Sequence, residues 1–81
     1  MSAISARVRG FIGELLARKG EPSQVADDEL LITSGRLDSV DVLEIVTFLE
    51  SNYAMDFAAR PFDPADFDTV ARIAALISES R

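Results

Sequence analysis

The 81-residue sequence contains no cysteine and no histidine. Without cysteine, the chain can form neither a disulfide nor a thiolate metal site, and it has no thiol nucleophile. Without histidine, it lacks the side chain that most often serves as a general base near neutral pH. These two absences argue against a self-contained hydrolase or transferase. We expect no metal site in this chain.

Long apolar segments are missing as well. No run approaches the roughly 20 residues that a membrane-spanning helix needs, and residues 1–8 lack the apolar region of a signal peptide. We therefore expect a cytoplasmic protein without a membrane partner. Apolar residues still make up 48% of the chain, which is ample for a globular core. At this length, the sequence predicts one domain spanning residues 1–81.

Negative charge is concentrated in the middle of the chain. The formal net charge is −6, yet residues 21–70 carry twelve acidic residues against two arginines, a net charge of −10. Such a segment repels nucleic acid and attracts basic protein surfaces. We expect no nucleic-acid partner. The pattern leaves open whether the acidic residues only keep the protein soluble or also form a docking face.

Apolar residues recur at helical spacing in three segments. They predict a first helix over residues 3–19, a second over 39–53 and a last over 69–79. Ser2 is the predicted N-cap of the first helix, and Gly20 its predicted C-terminal stop. The sequence therefore indicates an all-α protein.

Two stretches connect these helices. Residues 20–38 form a long connection, which the apolar residues 30–32 are expected to hold against the core. Asp63 followed by Pro64 is typical of an N-cap and the first residue of a short helix. Two aromatic residues of that region are expected in the core: Phe62 and Phe67.

The stretch 34–44 is typical of a loop that opens directly into a helix. Gly35 supplies the backbone freedom for a turn. Asp38 is the predicted N-cap of the second helix, and Asp41 completes the capping pattern three residues later. Ser39 then occupies the first helical position with its hydroxyl free of the cap. A phosphate on this serine would be stabilised by the helix N-terminus.

The second helix has two predicted faces. At ~100° per residue, one arc is expected to face the core: Val42, Leu43, Val46, Leu49 and Tyr53. The opposite arc is expected to be exposed, with Phe48 at its edge: Val40, Asp41, Glu44, Thr47 and Ser51.

The run LDSVD at residues 37–41, followed by a helix of apolar and acidic residues, resembles the attachment motif of acyl and peptidyl carrier proteins. Val40 stands where the family usually has leucine. The resemblance extends over almost the whole chain. It implies a single carrier domain and a four-helix bundle of acyl-carrier type, with three longer helices, a short third helix and a long loop between the first two.

The resemblance also implies a function, in which the protein is a substrate of enzymes and not itself an enzyme. Ser39, preceded by Asp38, would carry a covalent 4'-phosphopantetheine arm that holds acyl or aminoacyl groups as thioesters. The implied partners of this monomeric carrier are a phosphopantetheinyl transferase, a ligase that loads acyl or aminoacyl groups, and downstream acyl-transfer enzymes. The residues expected to contact these partners are Val40, Asp41, Glu44, Thr47, Phe48 and Glu50.

Other interpretations remain open at this point. The exposed arc carries fewer acids than in fatty-acid carriers, since Ser51 stands where many of them have another acid. This favours an aminoacyl, peptidyl or polyketide carrier. In a different class, the chain would be an unmodified helical module that binds a partner. An enzyme that uses Asp38 and Asp41 is disfavoured, because capping already accounts for both carboxylates.

Overall fold

The structure is a computed structural model that describes residues 3–57 and 63–80. Its elements, in chain order, are helix α1 (Ala3–Arg18), helix α2 (Ser39–Tyr53), a 3₁₀ helix (Pro64–Phe67) and helix α3 (Val70–Ser80). The described residues contain no strand, so the all-α prediction is confirmed. Within them, no helix combines the length and the apolar character needed to cross a membrane.

The predicted four-helix bundle is not confirmed, because residues 3–57 and 63–80 form three α-helices. The expected short third helix is a four-residue 3₁₀ helix (Pro64–Phe67). Asp63 caps it by accepting a hydrogen bond from the Ala65 N–H at 3.0 Å, as the Asp-Pro pair predicted. Thr69 then caps α3, since its hydroxyl oxygen accepts from the Arg72 N–H at 3.0 Å. These two caps leave room for little more than one turn between them. Two predicted residues, Ser2 and Phe62, lie outside the described residues.

Helix α1 ends where Gly20 predicted. The Gly20 backbone has a φ of 79°, in the left-handed region that glycine adopts without strain. The Glu21 N–H donates to the Leu16 carbonyl at 2.9 Å, and the Gly20 N–H donates to the Ala17 carbonyl at 3.1 Å. These two bonds satisfy carbonyls that the helix end would otherwise leave free.

The core lies between the helices and takes residues from every element and from the long connection. Helix α1 packs against α3, as does the 3₁₀ helix. Phe11 of α1 stacks on Phe48 of α2 with ring centroids 4.2 Å apart. The largest fully buried side chains are Phe67, Ile12, Leu15, Leu16, Leu31, Ile45, Leu49, Ile73, Ile77, Val8 and Val70. Burial of Phe67 agrees with the prediction made for it.

The connection between α1 and α2 is held by both apolar and charged side chains. Of the apolar residues 30–32, Leu31 is fully buried, whereas Leu30 is 49% exposed, so the prediction is wrong for Leu30. The guanidinium of Arg36 forms ion pairs with Glu29 and with Glu21 (3.4 Å). It also donates to two backbone carbonyls of the same connection, Pro22 at 2.7 Å and Gln24 at 3.4 Å.

A second carboxylate fastens the connection to the start of α3. Asp68 accepts hydrogen bonds from the Ile32 N–H (2.8 Å), the Thr33 N–H (3.1 Å) and the Thr33 hydroxyl (2.6 Å). The Thr33 hydroxyl, followed by these backbone N–H groups, holds the pKa of Asp68 below its usual value. Because the ionised form is the one that these donors stabilise, Asp68 contributes to stability as a carboxylate.

We expect Asp68→Ala to lower the free energy of unfolding by about 2 kcal/mol at neutral pH, since it removes charge-assisted hydrogen bonds to three donors. The folded pKa of Asp68 lies below the ordinary value of 3.8. Its contribution is therefore present above that value and is lost as the pH falls through the folded pKa. The difference between wild type and variant, measured by urea unfolding, should shrink in acid; a constant difference would contradict this role.

The two glycines inside α1 offer a matched pair of substitutions. A Cβ on Gly13 would lie 2.8 Å from the carbonyl oxygen of Ser23, whereas a Cβ on Gly10 would have no neighbour within 4 Å. Gly10→Ala should therefore raise the free energy of unfolding by up to about 1 kcal/mol through helix propensity. Gly13→Ala should lower it, because the connection must move away. Urea unfolding checks both, and equal stabilisation would show that Ser23 does not restrict Gly13.

Candidate functional site

The N-terminus of α2 is closed by a reciprocal capping box. The Asp38 carboxylate accepts from the Asp41 N–H at 3.0 Å, and the Asp41 carboxylate accepts from the Asp38 N–H at 3.0 Å. Leu37, the residue before the cap, and Val42, the fourth helical residue, are both buried in the core. This is the arrangement of a hydrophobic staple. The sequence predicted the cap, its acidic partner and the burial of Val42.

A lysine from the end of α1 completes this cap. The Lys19 ammonium lies 2.7 Å from Asp41 Oδ2 and 3.9 Å from Asp38 Oδ2. It also donates to the Arg36 carbonyl at 2.7 Å. Lys19 therefore joins three segments: the end of α1, the end of the connection and the first turn of α2.

The cap shifts two pKa values in opposite directions. The hydrogen bond to Asp41, followed by the nearby charges of Asp41 and Asp38, raises the pKa of Lys19. The hydrogen bond from the Asp41 N–H, with the charge of Lys19 as a further cause, lowers the pKa of Asp38. Both shifts favour the charged forms, so Lys19 is an ammonium and Asp38 a carboxylate at neutral pH.

Ser39 is the first residue of α2, and its side chain is exposed. Asp38 supplies the capping oxygen, so the Ser39 hydroxyl is not needed for the cap. No hydrogen bond to this hydroxyl occurs among residues 3–57 and 63–80. The hydroxyl therefore lies beside the positive end of the α2 dipole and is open to solvent.

An apolar cavity of about 330 Å³ opens beside Ser39. Its volume is at the low end of the range for small-molecule sites. The α1–α2 connection, the first turns of α2 and the start of the 3₁₀ helix form its walls. They contribute Ile32, Asp38, Ser39, Val42, Leu43 and Pro64.

The exposed face of α2 differs from the predicted one. Leu43 was expected in the core, but it is 64% exposed, beside Val40 at 65%. Asp41 was expected on the exposed arc, but it is only 7% exposed. Both predictions are wrong, because α2 is rotated about its axis relative to the predicted orientation. Ile45 faces the core, so Asp41 next to that face is buried and Leu43 is exposed. The cap and Lys19 occupy the Asp41 carboxylate, so it does not belong to an open docking face.

The other predicted contact residues lie further along α2. Thr47 is exposed, and its hydroxyl donates to the Leu43 carbonyl at 3.1 Å. Glu44 is partly exposed and forms an ion pair of 3.5 Å with Arg18. Glu50 is exposed. Phe48 is half-buried and stacks on Phe11 of α1.

A second cavity, of about 470 Å³, lies between α1 and α2. Its walls are Phe11, Arg18, Val40, Leu43, Glu44, Thr47, Phe48, Ser51 and Asn52. Leu43 borders this cavity and also the cavity beside Ser39. The structure thus brings Val40, Glu44, Thr47 and Phe48 to this cavity, and it places Ser39 at the neighbouring one, with Leu43 in the walls of both. Asp41 lines neither cavity.

Sequence reasoning missed three residues of this region. Lys19 was assigned only to the end of α1, and Arg18 had no partner. Leu43 was placed in the core. The basic pair Arg18-Lys19 at a predicted helix end is the one signal that could have suggested ion pairs with the acidic start of α2.

Comparisons with known proteins add no assignment to this geometry. No family model matches the chain, and neither a curated protein nor a solved structure matches it. Within the described residues, no group of three or more histidine, cysteine or acidic side chains could hold a metal ion. The site therefore has to be interpreted from its own residues.

We expect Lys19→Met to raise the pKa of Asp38 towards its ordinary value, because the neighbouring positive charge is lost. The Asp38 and Asp41 amide protons should also exchange faster, since the cap loses its third member. Lys19→Arg should retain most of both effects. The measurements are a carboxyl ¹³C NMR titration and hydrogen exchange.

Arg72→Met is the matched control, because it removes one positive charge from an exposed position on α3. If Lys19→Met changed the Asp38 pKa no more than Arg72→Met does, net charge alone would account for the effect.

Proposed function

We propose that this chain is an acyl or aminoacyl carrier whose Ser39 is modified with 4'-phosphopantetheine. The observation that carries the proposal is the position of Ser39, an exposed serine at the first residue of a helix whose cap is made by its neighbour Asp38. A hydroxyl in this position is open to an enzyme. A phosphate attached to it meets unpaired N–H groups and the positive end of the helix dipole.

Modification needs little from the carrier itself. The Ser39 oxygen would attack the phosphorus of coenzyme A that bears the pantetheine group. A serine–phosphorus bond forms, the pyrophosphate bond breaks, and adenosine 3',5'-bisphosphate leaves. A separate phosphopantetheinyl transferase would bind Mg²⁺ and accept the serine proton. The carrier therefore needs no general base of its own, consistent with a sequence that has no histidine.

The arm would supply the reactive thiol that a chain without cysteine lacks. Acyl or aminoacyl groups would be held on this thiol as thioesters, after loading by a ligase, and passed to acyl-transfer enzymes. We propose that this takes place in the cytoplasm, where coenzyme A, the donor of the arm, is available. The walls of the cavity beside Ser39 include Ile32, Val42, Leu43 and Pro64, which suits an apolar acyl group better than a charged one.

A second candidate function is an unmodified helical module that binds a protein partner. The exposure of Val40 and Leu43 on α2 favours it, because exposed apolar residues that adjoin one another often mark interfaces. The two candidates differ in whether Ser39 is modified.

We expect the wild-type protein to gain the mass of one phosphopantetheinyl group on incubation with coenzyme A, Mg²⁺ and a broad-specificity phosphopantetheinyl transferase. Ser39→Ala should gain none, because the acceptor oxygen is absent. The measurement is intact-protein mass spectrometry, with circular dichroism to verify folding.

Ser51→Ala is the matched control, since it removes another exposed serine of the same helix and should be modified as fully as wild type. A folded wild-type protein that several transferases leave unmodified would contradict the carrier proposal and favour the binding module.

A further inference from the structure

Two large apolar side chains are exposed next to Ser39. Val40 is 65% and Leu43 is 64% exposed, and the only other large apolar residue with comparable exposure among the described residues is Leu30, at 49%. Val40 directly follows Ser39, and Leu43 lies one helical turn further on. We call these two residues the Val40–Leu43 patch. Exposed apolar residues clustered beside a functional group mark a binding surface more often than isolated ones do.

The carboxylates nearest to this patch along the chain already have partners within the chain. Asp38, whose side chain is 62% exposed, accepts the Asp41 N–H at 3.0 Å, and its Oδ2 lies 3.9 Å from the Lys19 ammonium. Asp41 is buried, and its carboxylate lies 2.7 Å from the Lys19 ammonium. The Glu44 carboxylate lies 3.5 Å from an Arg18 guanidinium nitrogen. Positive charges from the end of α1 thus offset the acidic residues in the first two turns of α2.

The exposed acid that remains on α2 is distant. Glu50 follows Ser39 by eleven residues, which is about 16 Å along the helix axis. A basic surface placed over Ser39 would find the nearby carboxylates already engaged with lysine and arginine, whereas an apolar surface would find Val40 and Leu43 open. The patch and the paired charges therefore favour the same kind of partner surface.

We infer that the enzyme that modifies Ser39 docks on the Val40–Leu43 patch through an apolar, weakly charged surface of its own, and not through a basic one. This inference rests on the proposed function, and it names the chemistry of the partner at that site. Docking of this kind buries apolar area. Its strength therefore depends little on ionic strength, unlike attraction between exposed charges.

The test compares the kcat/KM of phosphopantetheinylation for single variants at constant Mg²⁺. Val40→Thr replaces a methyl group by a hydroxyl at nearly constant shape, and Leu43→Gln replaces an apolar side chain by a polar one of similar length. We expect kcat/KM to fall about tenfold for Leu43→Gln and less for Val40→Thr, mainly through a higher KM, because contact area of this kind contributes to association. Attachment of the arm precedes loading, so an effect on cargo binding does not enter this measurement.

Leu30→Gln is the matched control. It makes the same chemical change at an exposed leucine that borders neither of the two cavities of α2, and kcat/KM should stay near the wild-type value. Glu44→Gln and Glu50→Gln should each change kcat/KM by no more than about twofold. Raising NaCl from about 0.05 M to about 0.5 M, which shortens the screening length to a few ångströms, should have a similarly small effect.

The possible outcomes are distinguishable. If wild-type protein is modified and Leu43→Gln and Val40→Thr have the same kcat/KM as wild type, the Val40–Leu43 patch is not the docking site. The carrier function would then remain intact. A steep fall with salt, together with a large loss in Glu44→Gln, would overturn the apolar character of the docking surface. Wild-type protein that is not modified at all would overturn the carrier function and this docking site with it.

Self-association gives one more decisive outcome. If sedimentation velocity showed a wild-type dimer that Leu43→Gln dissociates, the patch would be an interface between two copies of this chain, and the inference would be overturned. A monomer in both cases supports docking of the modifying enzyme.

Discussion

The contact between the Lys19 ammonium and the Asp41 carboxylate, 2.7 Å long, connects the end of α1 to the first turn of α2. Asp41 also accepts the Asp38 N–H, and Asp38 in return accepts the Asp41 N–H. The start of α2, and with it the exposed position of Ser39, therefore depends on the Asp41 carboxylate, which is held in place by Lys19, the residue directly after α1. Because the lysine offsets charge beside Ser39, the same contact lowers the electrostatic cost of a phosphate there.

Two further charged side chains fix the path of the long connection that leads to this cap. Arg36 gathers Glu21, Glu29 and two backbone carbonyls around its guanidinium. Asp68, at the start of α3, accepts three hydrogen bonds from the connection. A segment with little regular structure thus acquires a defined path, because its backbone groups find charged partners that compensate for its conformational entropy.

The pairing of charges also decides what α2 offers to other molecules. Residues 21–70 carry a large excess of acids in the sequence, which by itself indicates an acidic face. In the folded chain Arg18 and Lys19 lie against Glu44 and Asp41. The surface next to Ser39 consequently exposes two apolar side chains, Val40 and Leu43, beside the Asp38 carboxylate, which lies 3.9 Å from Lys19. Charge counted along the sequence does not describe this surface.

The sequence by itself determined the features that depend on neighbours along the chain. Helical spacing located α2 to the residue, Gly20 marked the end of α1, and the capping box at Asp38 placed Ser39, because caps and turns involve residues three to five apart. Only the tertiary structure decided the exposure of Leu43 and the burial of Asp41. The rotation of a helix about its axis depends on which side chains the other elements pack against it. Lys19 and Asp41 are 22 positions apart in the sequence, so no local pattern encodes their pairing.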